Sequence, residues 1–419
     1  MTLGSKRSGR AAGRMALALV ASGVALSACA SRPYATLVPV ERSVPGAHKV
    51  DMLVATTRAP STVPGVVFSG DRGPELSLEN IIVSIPPDGA RKAGEVVYPR
   101  PSAPDPAREF VALRIDPMSQ KDSDRWFQQR KSPSGRLLIF VHGFNSSYEE
   151  AVFRFAQISY DSGADAAPIL FTWPSQGSIF GYLYDRESAN YSRSSLEKVI
   201  EAAAARKDVT EITIMAHSMG SWLTMEALRQ IAIRKGSLPR KLGHVVLASP
   251  DLDVDVFHEQ LDEIGPDQSR ITIFTSQDDR ALLVSRRLAG GVQRLGAVDL
   301  TKPDVQAAFA QRGITVVDLT SIRTGDSLNH TKFAQSAEVV QAIGRRLIAG
   351  QKVSEGSPGL GETLGAAAIG TAQGVGSAVN AAVNAPAAIV DPGARQRFGR
   401  SIEDVGRNIG GSLQTVTGN

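Results

Sequence analysis

Glu211-Ile212-Thr213-Ile214-Met215-Ala216-His217-Ser218-Met219-Gly220-Ser221 is the stretch on which the reading of this chain turns. Ile212 to Ala216 is a continuous apolar run of strand length. From Met219 onward, Met219, Trp222, Leu223 and Ala227 recur on one face at helical spacing. Only His217 and Ser218 separate the strand from the helix. A turn that abrupt lifts its central side chain clear of the strand end, and small residues two before and two after it, here Ala216 and Gly220, leave room for the bend. Ser218 is therefore a candidate nucleophile, although serine is also a favoured helix cap in such a place.

Working outward, apolar runs of strand length alternate with helical segments. The runs are Leu137 to Val141, Pro168 to Trp173, Ile212 to Ala216, His244 to Ala248, Ile271 to Thr275 and Ile314 to Leu319. Helices are expected over Glu149 to Tyr160, Glu187 to Ala205, Met219 to Ile233, Phe257 to Ile264, Arg280 to Ala289 and Thr331 to Ala349. Runs that are continuous rather than alternating belong to strands buried on both faces. The expected class is thus α/β, with a mostly parallel central sheet and helices on both faces. Shorter runs at Val50 to Thr56, Ile81 to Ile85 and Phe110 to Ile115, set apart by turns such as Pro86-Pro87-Asp88-Gly89, predict an antiparallel N-terminal part.

Between about Val50 and Ala349 the chain resembles an uncharacterised branch of the esterase/lipase α/β-hydrolase superfamily. The segments that carry the likeness are Ala55-Thr56-Thr57-Arg58, Ile82-Val83-Ser84-Ile85-Pro86, Phe140-Val141-His142-Gly143-Phe144-Asn145, Trp173-Pro174-Ser175-Gln176-Gly177 and Ala216-His217-Ser218-Met219-Gly220. Ala216 stands where the superfamily usually has glycine. The resemblance implies a serine nucleophile, an acid and a histidine in that chain order, with no cofactor and no metal.

A hydroxyl needs a base at neutral pH. Of the six histidines, His48 precedes the sheet, His142 and His217 sit in loops with other uses, His244 begins a strand and His258 lies on a helix. His330, just after the last strand, remains. The orienting acid is expected after Ile271 to Thr275, where Asp278 and Asp279 are adjacent. Asp279 aligns with the acid of the superfamily's turn and is preferred; Asp278 is the alternative. Phe144 and Met219 are the expected backbone donors of an oxyanion hole, with Gly143 permitting close approach. Trp173, Pro174, Ser175, Tyr182, Tyr184 and Asp185 either line an acyl pocket or serve packing and turns. The acidic run Pro250 to Asp255 reads as a helix start rather than a metal site.

The 419 residues, 42% hydrophobic and 21% charged, allow one large domain with appendages. A formal charge of +4 without a basic stripe gives nucleic-acid binding no support. Basic residues to Arg14 followed by the apolar run Met15 to Ala25 match an export signal. Leu26-Ser27-Ala28-Cys29 resembles the lipidation box of bacterial lipoproteins, and Cys29 is the only cysteine. The expected organisation is a lipoprotein signal peptide at 1–28, a tether at 29–47, a hydrolase domain at 48–350 and a Gly/Ala-rich tail at 351–419, flexible or membrane-associated.

Together these readings lead us to expect a serine hydrolase of carboxylic esters, small-molecule or lipid, anchored by Cys29 at a bacterial cell envelope, on the periplasmic side of the outer membrane if the cell is Gram-negative. The alternatives are a non-catalytic envelope lipoprotein that keeps the scaffold for binding, and an acyltransferase using the same three residues.

Overall fold

The computed structural model describes residues 32–349 apart from 43 and 131, together with the two-residue strand at 368–369; Cys29 and the rest of the tail lie outside the described residues. The chain opens with three strands, β1 (His48–Pro60), β2 (Phe68–Ile85) and β3 (Val111–Met118), and the helix α1 (Gln120–Arg130). Then β4 (Arg136–Val141), α2 (Tyr148–Asp161), β5 (Ala167–Thr172), α3 (Tyr182–Ala205), β6 (Glu211–His217) and α4 (Met219–Lys235) alternate. They are followed by β7 (Leu242–Ala248), α5 (Val254–Ile264), β8 (Ile271–Thr275), α6 (Arg280–Leu288), α7 (Pro303–Gln311), β9 (Thr315–Asp318), α8 (Lys332–Gln335) and α9 (Ala337–Ala349). A last short strand, β10 (Ala368–Ile369), falls inside the segment expected to be a tail and pairs with β9.

All of these strands join one sheet in the order β10-β9-β8-β7-β6-β4-β5-β1-β2-β3. Every pairing from β9 across to β1 is parallel, while β1–β2 and β2–β3 are antiparallel. The α/β class and the antiparallel N-terminal part are as the sequence predicts. Both faces of the sheet are covered. Ile139, Val141, Ile214 and Ala216 pack against α3 and α4 on one side; Phe140, Leu170 and Met215 pack against α2 and α9 on the other. Successive residues of a strand point to opposite faces, so double burial requires apolar residues at every position.

Some bounds differ from expectation. The helix expected at Thr331 to Ala349 is broken at Ser336 into α8 and α9. Helix α3 begins at Tyr182 rather than Glu187, and α1 and α7 have no counterpart in the expected helices. The stretch 120–130 is largely polar, which hides α1 from a periodicity reading; only Ser123, Trp126 and Phe127 are buried on it. Part of the segment read as a tether packs on the domain. Thr36 and Leu37 are buried, and Val40 N–H donates to Ala112 O at 2.8 Å.

Candidate active site

Ser218 sits between β6 and α4 with φ +53° and ψ −123°. A non-glycine residue in that region is strained and persists only where its surroundings over-determine it. Here the backbone is tied on both sides: Ser218 N–H donates to Ala248 O at 3.0 Å, and Ser218 O accepts from Ser221 N–H at 2.9 Å and Asp251 N–H at 3.2 Å. Two glycines let the neighbouring backbone close in. A Cβ on Gly220 would lie 2.7 Å from Val141 O and closer still to His142 O, and a Cβ on Gly143 would lie 2.8 Å from the Ser218 Cβ. Those separations leave no space for a methyl group.

His330 Nδ1 bonds Asp279 Oδ2 at 2.7 Å, and Asp279 is fully buried. The other oxygen of Asp279 caps α6, accepting from Leu282 N–H at 3.0 Å. Asp278 is engaged elsewhere: Oδ1 accepts from Lys332 Nζ at 2.7 Å and Ser276 Oγ at 2.5 Å, and Oδ2 from Asn329 Nδ2 at 3.0 Å. Of the two adjacent carboxylates, only Asp279 meets the imidazole. Burial disfavours the imidazolium of His330, but the charge and hydrogen bond of Asp279, with help from Asp251 and Asp326, outweigh it, and the His330 pKa is raised above 6.5. The His330 ring lies tilted against that of His217, the residue before the serine, with ring centres 4.7 Å apart, and its carbonyl lies 3.2 Å from His217 Nε2. Burial pushes His217 well below 6.5, so it adds no charge beside His330. Among the described residues no hydrogen bond joins the Ser218 hydroxyl to His330; such bonds often tighten only when substrate is bound.

Phe144 lies in the loop after β4, and among the described residues nothing accepts its N–H. Met219 opens α4, where first-turn amides have no intrahelical acceptor. The loop carrying Phe144 is held by residues for which the sequence left a pocket role and a packing role both open, Ser175 and Asp185, and by Arg58. Asn145, at φ +59°, donates its N–H to Asp185 Oδ2 at 3.2 Å. Asp185 also takes Ser175 Oγ at 2.5 Å and Gln176 N–H at 2.9 Å, and Ser146 N–H donates to Ser175 Oγ at 3.0 Å. Beneath them Arg58, 1% exposed, spreads its guanidinium over Thr172 Oγ1, Ser69 O, Ser175 O and Ser146 O at 2.8–3.1 Å. Burial lowers the Arg58 pKa to about 10, against the opposing charges of Glu149 and Asp185. Arg58 had been legible only as part of the Ala55–Arg58 likeness. His142, driven by burial and by Arg58 down to about 3, is neutral and accepts Trp173 N–H on Nε2 at 3.1 Å. Trp173, Ser175 and Asp185 thus brace the loop.

Asp251 is not part of a helix start. Asp253 is the residue that caps α5, whereas Asp251 is buried with Ser285 Oγ at 2.5 Å, Tyr182 OH at 3.3 Å and Arg294 Nε at 3.2 Å. The Tyr182 ring meets Phe144 edge-on at 5.3 Å, so this cluster borders the site.

A family model described as "Alpha/beta hydrolase of unknown function (DUF900)" matches residues 119–346. An uncharacterized protein of Nostoc sp. (alr1448) is 36% identical over 61 residues, covering 15% of this chain and 16% of that protein, so the chain spans under a fifth of that relative's length. Among solved structures, a lipase-esterase related protein from Clostridium acetobutylicum ATCC 824 aligns with 52% of this chain and 96% of its own at 14% identity and a TM-score of 0.29.

Proposed function

The chain belongs to this α/β-hydrolase family of unknown function, and on that premise we propose that it is a serine hydrolase cleaving carboxylic esters through an acyl-enzyme. The observation that carries the reading is the 2.7 Å bond from His330 to buried Asp279, made at the C-terminal end of the parallel strands, where Ser218 follows β6 at φ +53°. With Nδ1 engaged by Asp279, His330 presents Nε2 as the base.

His330 Nε2 takes the Ser218 hydroxyl proton as Oγ attacks the ester carbonyl carbon. The negative charge on the carbonyl oxygen falls to the N–H groups of Phe144 and Met219. Collapse expels the alcohol, which leaves with the proton held on His330. Water, deprotonated by His330, then attacks the acyl carbon, and the carboxylic acid departs as Oγ recovers its proton. Asp279 holds the tautomer and offsets the imidazolium charge throughout. The exported chain begins, in this reading, at a lipid-modified Cys29; the support is the Leu26–Cys29 box behind an apolar run of signal-peptide length.

Labelling by a fluorophosphonate tests the chemistry. Wild-type protein should form a covalent adduct that peptide mapping puts on Ser218, and Ser218→Ala should form none. A wild type that resists the probe would leave a binding scaffold as the reading.

A further inference from the structure

Arg32 is held at the rim of the candidate active site. Arg32 Nη1 donates to Asn145 Oδ1 at 2.8 Å and to Gly177 O at 2.7 Å, and Arg32 Nε lies 3.6 Å from Glu150 Oε1. Asn145 is the residue after Phe144. Cys29 is three residues before Arg32, and three residues of extended chain reach roughly 11 Å at most. The lipid proposed above for Cys29 would be joined to the chain within that reach of Arg32.

Two adjoining elements that follow β5 and β8 expose apolar side chains. Past Gly177, Ile179, Phe180 and Leu183 are 67%, 93% and 75% exposed. On α6, Leu283, Val284 and Leu288 are exposed while Leu282 and Ser285 turn inward. Tyr182 OH and Ser285 Oγ, 3.0 Å apart, tie the two elements together. Leu328, 48% exposed, sits where its carbonyl accepts Arg280 N–H. Arg280 opens α6 and Arg286 and Arg287 lie in its last turn. Among the described residues these three arginines form no ion pair; Arg280 and Arg286 bond only carbonyl oxygens. Scattered exposed leucines mean little, but a cluster rimmed by uncompensated cations suits the headgroup region of an anionic bilayer.

We propose that this face docks on an anionic lipid bilayer, the one that holds the acyl chains of Cys29, so that the mouth of the Ser218 site opens onto the membrane and draws lipid esters from it. The substrate half rests on the serine-hydrolase reading and the tether on the proposed lipid at Cys29; the docking patch rests on neither. Tether and patch act on the same face. The short reach from Cys29 to Arg32 keeps the patch at the bilayer, and Phe180 with the α6 leucines enters the boundary between headgroups and acyl chains.

The test uses the mature chain, residues 29–419, with Cys29→Ser so that no acyl group contributes. It should co-float with vesicles of equal parts phosphatidylglycerol and phosphatidylcholine, and bind phosphatidylcholine vesicles more weakly. Phe180→Asp combined with Leu288→Asp, both at exposed positions, should lower the vesicle-bound fraction by about tenfold or more, since each removes a large apolar side chain from the interface. Arg286→Glu with Arg287→Glu should lower binding to the anionic vesicles alone. Equal flotation of the double aspartate variant and its parent overturns the docking surface. So does a dimer in solution that the aspartates dissociate while flotation is unchanged, which would give the patch to a second copy. Fluorophosphonate labelling without vesicles separates the two halves: flotation lost with labelling kept supports docking, and flotation kept with no labelling of the parent removes the substrate half.

Discussion

Replacing Asp279 by asparagine should lower kcat by about ten-thousandfold while leaving the fold intact, the scale of loss when the orienting carboxylate of such a triad becomes an amide. An asparagine at 279 can present its Nδ2 to His330 Nδ1, which would put the ring proton on Nε2 and leave it facing the serine without a free lone pair. The paired substitution Asp278→Asn should keep most activity, because Asp278 meets Lys332, Ser276 and Asn329 rather than the imidazole. Its cost is stability, since it weakens the partner of a lysine that is 1% exposed. Steady-state rates with a neutral ester, alongside urea midpoints, separate the two outcomes. Comparable activity for both variants would remove Asp279 from the proposed mechanism.

The pH profile adds a signed check. His330 acts as a base only when neutral, so kcat/KM should rise as pH increases through its pKa. With that pKa raised above 6.5 by Asp279 against the effect of burial, the wild-type midpoint should lie above 6.5. Asp279→Asn removes the largest raising contribution and leaves burial, so whatever activity remains should rise at lower pH. A midpoint that does not move would mean that His330 is not the group titrating.

Arg58→Met should cost about 4 kcal/mol or more of stability, since four buried acceptors lose their donor at about 1–3 kcal/mol each. The guanidinium serves the carbonyls of Ser69, Ser146 and Ser175 together with the Thr172 hydroxyl, and it links β1 to the loops that follow β4 and β5. Methionine fills the volume but donates to none of them. Arg58→Lys should recover only part of the loss, because one ammonium cannot reproduce a planar fork spread over acceptors on three segments. Activity should fall further than stability alone explains, since Ser146 and Asn145 position the Phe144 N–H. An unfolding free energy from urea curves within about 1 kcal/mol of wild type would show that these carbonyls find other donors.

The α/β class was legible because burial on both faces writes itself into composition: Leu137 to Val141 and Ile212 to Ala216 are continuous apolar runs, and no other common element of that length needs them. The bend at Ser218 was legible for a local reason, a strand and a helix with two residues between them and small residues on either side. His330 came from counting six histidines. Less was visible where the signal is polar or distant. Helix α1 carries few apolar residues, and the break at Ser336 has no Gly or Pro to mark it.

What the amino-acid order by itself determined, then, is whatever depends on neighbours along the chain: the sheet and helix alternation, the turn at Ser218, and the placing of an acid and a histidine after later strands. The choice between Asp278 and Asp279 was not of that kind. They are adjacent and chemically identical, and they part only because Asp279 caps α6 and thereby faces inward to His330, 51 residues further on, while Asp278 meets Lys332. Arg58 shows the same limit. Its sequence reads as one cation at the end of a strand, and its partners lie 11, 88, 114 and 117 residues away. Such bonds exist only once the sheet has brought β1 beside β5 and excluded water, since it is burial that makes each unsatisfied carbonyl costly and each donor decisive.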